Sequence, residues 1–169
     1  FSMDIYGDLY PEEYTFKYPK AGEENSKVSI HIYNLETKKT IQANLGSGWE
    51  YVARIEWTKN PKKLAVQTLN RHQNDLNILL VDATNGEDKN IYNEKSDNYI
   101  EIPNQLTFLD NGNEFVLLSE KDGFKHIYLY NMKGEMVKQL TKGNWEVTDF
   151  YGVDQANQKI YFQSAKESP

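Results

Sequence analysis

Hydrophobic and polar positions along this chain alternate in short runs, each closed by residues that favour tight turns. The pattern is clearest from Leu106 to Trp145. Leu106–Leu109 ends at Asp110-Asn111-Gly112-Asn113, and Glu114–Ser119 ends at Lys121-Asp122-Gly123. Lys125–Tyr130 ends at Asn131-Met132-Lys133-Gly134, and Glu135–Leu140 follows. Gly, Asn and Asp tolerate the positive φ such turns require, so the stretch predicts four antiparallel strands joined by hairpins. The same reading predicts strands over Lys27–Asn34, with Val28, Ile30 and Ile32 inward, and over Thr40–Asn44. It also predicts strands over Tyr51–Trp57, Lys63–Leu69, Leu76–Asp82 and Lys89–Glu94, and a last pair within Phe150–Gln163. No stretch carries the 3.6-residue period of a helix.

The pattern repeats. Ile55-Glu56-Trp57 superposes on Leu106-Thr107-Phe108, and the same offset brings Leu64-Ala65-Val66 onto Phe115-Val116-Leu117. Tyr33-Asn34, Val81-Asp82 and Tyr130-Asn131 each close a strand before a turn. One four-stranded antiparallel sheet per ~40–45 residues is the period of a propeller blade. The expected fold is therefore all-β, part of a β-propeller of about three blades of four-stranded sheet, with an extended N-terminal arm. The expected division is an arm over 1–22 and a partial propeller over 23–169, with blades at 23–48, 49–97, 98–145 and an incomplete one at 146–169. Such a piece leaves two apolar faces uncovered, so self-association is expected.

Residues 1–22 differ from the rest. Tyr6, Tyr10, Tyr14, Phe16 and Tyr18 are broken by Gly7, Pro11 and Pro19. Tyr14–Tyr18 alternates and predicts a strand, while the prolines make the remainder an extended arm or edge. Two readings stand. One is a strand of a preceding blade with its connector. The other is an aromatic arm that packs on a partner chain, because a lone arm cannot bury five aromatics on itself.

Aromatics make up 13% of the 169 residues, 12 of them Tyr, which favours half-buried pleated surfaces. The net charge of −6, with Arg54 and Arg71 the arginines, argues against a nucleic-acid partner. There is no cysteine, so disulfides and thiolate-bound metals are excluded. No apolar run approaches the ~20 residues of a membrane span, and no signal peptide is visible. The first residue is Phe1 rather than Met, and the sequence is read as a section of a longer protein.

Candidate chemistry is sparse, and nothing nominates a cofactor. No Gly-x-Ser-x-Gly elbow occurs. Ser119, Glu120 and His126 invite a catalytic reading, but Ser119 reads as a turn hydroxyl between a strand and a turn. His31, His72 and His126 are scattered and lack a second ligand at metal spacing. Glu12-Glu13 and Glu23-Glu24 read as solvated loop acids, and Gly46-Ser47-Gly48 has no helix after it to hold a phosphate.

Several strings go beyond a generic repeat. Tyr18-Pro19-Lys20-Ala21-Gly22-Glu23 resembles the Tyr-Pro-Lys-Ala-Gly signature of dipeptidyl peptidase IV-type serine peptidases. Glu56-Trp57-Thr58, followed by Asn70-Arg71-His72-Gln73-Asn74, is similar to a second family run. Ser119–Tyr128 and Leu140–Val147 resemble two more, and Glu167-Ser168-Pro169 stands where the family's next connection begins. The matches are in order and span nearly the whole chain.

The resemblance implies a section of an N-terminal propeller whose C-terminal α/β-hydrolase domain, carrying the catalytic triad, lies elsewhere in the protein. It implies no catalytic, cofactor or metal residue here. The family's glutamate pair for the substrate's amino group has no match, since Glu12-Glu13 sits in the arm. Residues 1–22 fall where the family has a dimer arm, which implies partner contacts from Tyr6, Tyr10, Tyr14, Phe16 and Tyr18. The loop Tyr99–Gln105 matches one that approaches substrate in some members; Tyr99, Glu101 and Ile102 are the candidates, and the Arg those members use is absent. The resemblance further implies peptide substrates, a homodimer, release of X-Pro or X-Ala dipeptides in the intact protein, and a periplasmic or secreted location. The lack of cysteine fits a bacterial member. Alternatives are a non-enzymatic propeller scaffold for protein partners and the propeller of a related acylaminoacyl or tripeptidyl peptidase.

Overall fold

The computed structural model describes residues 1–102 and 106–167. Fourteen strands are present among them. Ser2–Ile5 (β1) and Glu12–Thr15 (β2) form an arm hairpin with Ser2 opposite Thr15. His31–Asn34 (β3) and Lys39–Gln42 (β4) form a leading hairpin. Tyr51–Trp57 (β5), Lys63–Leu69 (β6), Asp75–Asp82 (β7) and Asp88–Lys95 (β8) form a four-stranded meander. Thr107–Phe108 (β9), Glu114–Ser119 (β10), His126–Asn131 (β11) and Met136–Gln139 (β12) form a second. Val147–Asp154 (β13) and Lys159–Ser164 (β14) make a trailing hairpin.

The expected part of a β-propeller is not what these strands form. They fall into five separate antiparallel sheets, only two of them four-stranded, and no sheet among the described residues closes or curls upon itself. The reason lies in the edges. The leading and trailing hairpins hold two strands each, and in the four-stranded sheets β5 and β8, like β9 and β12, stand at opposite edges. The fold is all-β, a series of separate sheets held by side-chain packing between faces.

Alternation explains that packing. In β6, Leu64 and Val66 point to one face and join Ile32, Ala43 and Leu45 behind the leading hairpin. Ala65 and Leu69 point to the other and meet Phe115, Leu117, Tyr128 and Tyr130 of the second four-stranded sheet. Val116, Leu118 and Ile127 then face Val147 and Phe150 of the trailing hairpin. Strands buried on both faces read as unbroken apolar runs, which is why β6 and β10 are LAV and FVLL in sequence.

The repeat seen in sequence is also a repeat of register. Trp57 pairs with Leu64, Phe108 with Phe115 and Val153 with Ile160. Two glycines tie neighbouring sheets. Gly86, in the β7–β8 turn at φ 80°, lies so close to β4 that an added Cβ would stand 2.3 Å from the Gln42 carbonyl oxygen. Gly134, in the β11–β12 turn at φ 96°, approaches the Ile91 carbonyl of β8 in the same way, at 3.0 Å.

The arm does not follow its prediction fully. The strand expected at Tyr14–Tyr18 is instead β2, ending at Thr15, and it pairs with β1, which the sequence did not announce. β3 begins at His31 rather than Lys27.

Candidate functional site

A cleft of about 480 Å³ opens where the β8–β9 loop passes the β10–β11 turn and the start of β13. Glu94 and Lys95 supply one wall, Ser119, Glu120, Lys121 and Lys125 a second, and Tyr99 to Ile102 the rim. The rim is held in place. Ile100 is buried and donates its N–H to the Gln73 carbonyl at 2.9 Å, while Ile102 packs on the core between the two four-stranded sheets. Glu101 accepts from Lys125 Nζ at 2.5 Å, and Glu120 lies 3.5 Å from the same ammonium. That hydrogen bond to Glu101 raises the lysine's pKa above its usual value. Tyr99 remains 62% exposed at the mouth.

Beneath the rim is a caged cation. Lys121 Nζ donates to the Tyr130 hydroxyl and lies 3.9 Å from the Tyr128 ring, 4.9 Å from the Tyr130 ring and 6.0 Å from the Tyr92 ring. The ring faces offer negative potential to the ammonium. Burial still lowers the lysine's pKa, opposed by the charges of Glu94 and Asp122. Tyr92 donates to Glu94, and burial followed by the Glu94 charge raises the phenol's pKa far above its usual value. Tyr128 and Tyr130 are raised as well, chiefly by burial. Asp122 accepts from Gln139 Nε2 at 2.5 Å. Burial works to raise the Asp122 carboxyl, and its hydrogen bonds bring it below the usual range.

Ser119 and His126 stand opposite one another in the β10–β11 ladder, and neither is available to the other. Ser119 donates to Glu94 Oε2 at 2.8 Å and accepts the Lys121 N–H at 3.1 Å. His126 Nε2 lies 3.0 Å from the Gly143 carbonyl oxygen, and Nδ1 lies 3.1 Å from the Thr141 hydroxyl. A carbonyl only accepts, so Nε2 carries the proton and Nδ1 accepts the hydrogen bond that the Thr141 hydroxyl donates. The hydroxyl oxygen in turn accepts the Ile127 N–H at 3.0 Å. This is a satisfied core histidine. Activation of a nucleophile needs a base within reach, and here both partners of the pair are committed elsewhere.

The remaining candidates do not converge. His31 Nε2 meets Ser29 Oγ at 2.9 Å on the leading hairpin, and His72 is exposed in the β6–β7 turn. Glu12 and Glu13 lie exposed on β2, and Glu23 accepts from the Lys20 N–H. Among the described residues no group of three or more His, Asp or Glu could hold a metal ion, and no helix is long and apolar enough to cross a membrane. The Tyr99–Gln105 loop continues through Pro103, Asn104 and Gln105, which lie outside the described residues, as do Ser168 and Pro169. Sequence reading passed over the lysine cage. Its signal was Tyr128 and Tyr130 two apart on one strand, with Tyr92 and Lys121 elsewhere.

In the arm, Phe16 is half-buried against Phe1 at 5.2 Å, Tyr14 at 5.5 Å and Tyr18 at 6.2 Å. Tyr6, Tyr10, Tyr14 and Tyr18 stay exposed.

A row of antiparallel sheets carries a polar cleft, and the facing Ser119 and His126 are each held in structural hydrogen bonds rather than joined as nucleophile and base. The chain belongs to the family described as the dipeptidyl peptidase IV (DPP IV) N-terminal region, whose pattern it matches over residues 2–169, and it corresponds to the non-catalytic N-terminal part of such proteins. It is similar to dipeptidyl peptidase 4 of Porphyromonas gingivalis, with 45% identity and a TM-score of 0.89 over 100% of this chain and 24% of that one. It is 33% identical to the inactive dipeptidyl peptidase 10 of Mus musculus over 96% of this chain and 22% of the relative. It is 30% identical to dipeptidyl peptidase 4 of Arthroderma otae over 93% of this chain and 21% of the relative. The chain thus spans about a fifth to a quarter of the length of these relatives.

Proposed function

We propose that this chain is the access-controlling and dimer-supporting section of a bacterial, exported serine exopeptidase that releases X-Pro and X-Ala dipeptides from peptide N-termini. The observation that carries this reading is the match to Porphyromonas gingivalis dipeptidyl peptidase 4, 45% identical along the entire chain. Bond cleavage belongs to an α/β-hydrolase domain elsewhere in the same protein. The cleft rimmed by Tyr99, Glu101 and Ile102 supports a substrate-side role for that loop, because its polar walls suit a peptide backbone. Residues 1–22 act as an arm apart from the body at 23–169. The exposed Tyr6, Tyr10, Tyr14 and Tyr18, with Phe16 clamped among them, support a contact with a second protomer.

A second reading is favoured by the likeness to inactive dipeptidyl peptidase 10. There the same region belongs to a protein whose name marks it as inactive. Assay of the intact protein with a Gly-Pro chromogenic substrate separates the two. Turnover by the intact protein, with none from this chain alone, supports the first. An intact protein without turnover supports the second, and turnover by this chain alone overturns both. Replacing Tyr10 and Tyr14 with Ser should convert a dimer of the intact protein to monomer; an unchanged dimer removes the arm from the interface.

A further inference from the structure

The chain has three methionines in three settings. Met132 packs on the core between the two four-stranded sheets. Met3 is 46% exposed on the arm, and Met136 is 54% exposed on β12. Met136 has a charged neighbour. Lys121 Nζ lies 3.8 Å from Met136 Sδ, while the same ammonium donates to the Tyr130 hydroxyl and sits over the Tyr128 ring. We propose that Met136 is an oxidation site, at which a peroxide turns the thioether into a sulfoxide whose oxygen draws the Lys121 ammonium out of its tyrosine cage.

The backbone sets this contact. Met136 lies opposite Tyr130, and opposed residues of an antiparallel pair share a face. A regular ladder continuing from Leu129 opposite Lys138 would bring Val137 to that place. The register shifts there instead, and the bulge aims Met136 at the cage. Its face is the one turned toward the first four-stranded sheet, where Tyr130 meets Tyr92 edge to face with ring centres 5.1 Å apart. Both of these sheets carry four strands, so the contact does not depend on the leading or trailing hairpin. The side chain borders the cage from outside the core, so oxidation there leaves core packing in place.

The chemistry balances with a peroxide as the oxidant. A sulfur lone pair attacks one peroxide oxygen, the O–O bond breaks and an S–O bond forms. The sulfur is oxidised by one electron pair and the peroxide is reduced by it. The proton on the transferred oxygen passes to the departing oxygen, which leaves as water when the oxidant is hydrogen peroxide. Met136 and Lys121 are both exposed, so a small oxidant reaches the sulfur. A thioether sulfur is only a weak acceptor, whereas the sulfoxide is polar. The ammonium, shared until then between a phenol, ring faces and that weak acceptor, gains a strong one on the same side. A sulfoxide is also chiral, and one epimer turns its oxygen to Lys121 while the other turns it away. The ammonium holds the peroxide on its own side of the sulfur, which favours the first. Lys121 lines the cleft, so oxidation moves a charge on the cleft wall.

The test treats the protein with dilute hydrogen peroxide and follows each methionine by peptide mass mapping. Met136 and Met3 should gain oxygen well ahead of Met132. The two epimer-specific methionine sulfoxide reductases should reveal one epimer in excess at Met136 and both alike at Met3. Near-UV circular dichroism should shift as Met136 oxidises, because the tyrosine rings lose the cation beside them. Met136→Gln, which sets a carbonyl oxygen at that place, should show the shifted spectrum before peroxide is added, and Met136→Leu should show no peroxide-induced shift. Lys121→Leu should keep oxidation at Met136 and lose the epimer excess; if that variant fails to fold, the wild-type epimer ratio and the two Met136 variants decide. Oxidation of Met136 no faster than that of Met132 overturns the proposal, and so do equal epimers at Met136 in the wild type. A spectrum that Met136 oxidation leaves unchanged, or an epimer excess that survives Lys121→Leu, overturns it as well.

Discussion

His126 Nε2 donates to the carbonyl of Gly143 at 3.0 Å, seventeen residues on, and this bond pins the segment after β12 beneath the second four-stranded sheet. The ring is fully buried against the edge of Trp145. Replacing His126 with Phe keeps the bulk but leaves the Gly143 carbonyl without this donor and Thr141 without its acceptor. An unsatisfied buried polar group costs about 1–3 kcal/mol. Urea unfolding of His126→Phe should show a loss of that size or more, and Ser119→Ala, which drops the hydroxyl's bonds to Glu94 and to the Lys121 N–H, should lose about 1 kcal/mol per bond.

Gly86 and Gly112 both adopt positive φ, at 80° and 67°, yet they differ in surroundings. A Cβ on Gly112 meets nothing within 4 Å, and one on Gly86 collides with the Gln42 backbone oxygen. Gly112→Ala should cost only the left-handed backbone penalty of roughly 1–2 kcal/mol. Gly86→Ala should cost about 1–3 kcal/mol more, since backbone must move. The difference between the two midpoints in urea measures the contact between the leading hairpin and its neighbour.

The tyrosine cage predicts an alkaline limb. Tyr92, Tyr128 and Tyr130 hold their protons in the fold to higher pH than an unfolded chain would, near pKa 10. Above that pH the unfolded state releases protons the native state keeps, so stability falls as pH rises. Lys121 acts oppositely: its lowered pKa penalises the native state below it, and this penalty is relieved as pH rises toward the unfolded value near 10.4. Three groups oppose one, and unfolding midpoints should drop above about pH 10. Tyr92→Phe should flatten that drop; an unchanged slope would place the sensitivity elsewhere.

At the acid end, Asp82 accepts from Lys63 Nζ at 2.8 Å and from Thr84 N–H at 2.8 Å. The Lys63 bond, then the Thr84 bonds, hold its carboxyl well below the usual carboxylate range. Its contribution is present above the unfolded value near 3.9 and is lost as pH falls through the folded one. Asp82→Asn should be less stable than wild type at neutral pH and lose less on acidification. Thermal melts at pH 7 and pH 3 check both halves.

Strand positions were legible because two local codes agree. The bounds of β5, β6 and β10 follow from alternation ended by Asn, Gly or Asp, and the register from the offset that carries Trp57-x₆-Leu64 onto Phe108-x₆-Phe115. The arm hairpin was not legible. Ser2–Ile5 and Glu12–Thr15 pair with no core beneath them, so no apolar face marks the partner, and the aromatic alternation after Tyr14 pointed one turn too far. The expectation of part of a β-propeller was overturned for a different reason. A repeat period reports how many strands each sheet has, while the meeting of edges depends on geometry that no local pattern carries. In the cleft, Tyr99, Glu101 and Ile102 were nominated through resemblance, whereas the Lys121 cage needed two strands, β8 and β11, and the β10–β11 turn brought together before its charge and rings were neighbours.

Gly86 and Gly134 bring the turn of one sheet against the backbone of the sheet before it, without a side chain between. Each sheet is thus coupled to its neighbours and to nothing further along the row. Opening should then proceed unit by unit instead of all at once. Amide deuterium should enter the arm and the terminal hairpins early. It should enter β6, β7 and β10 last, since they are covered on both faces and flanked by ladders on both sides.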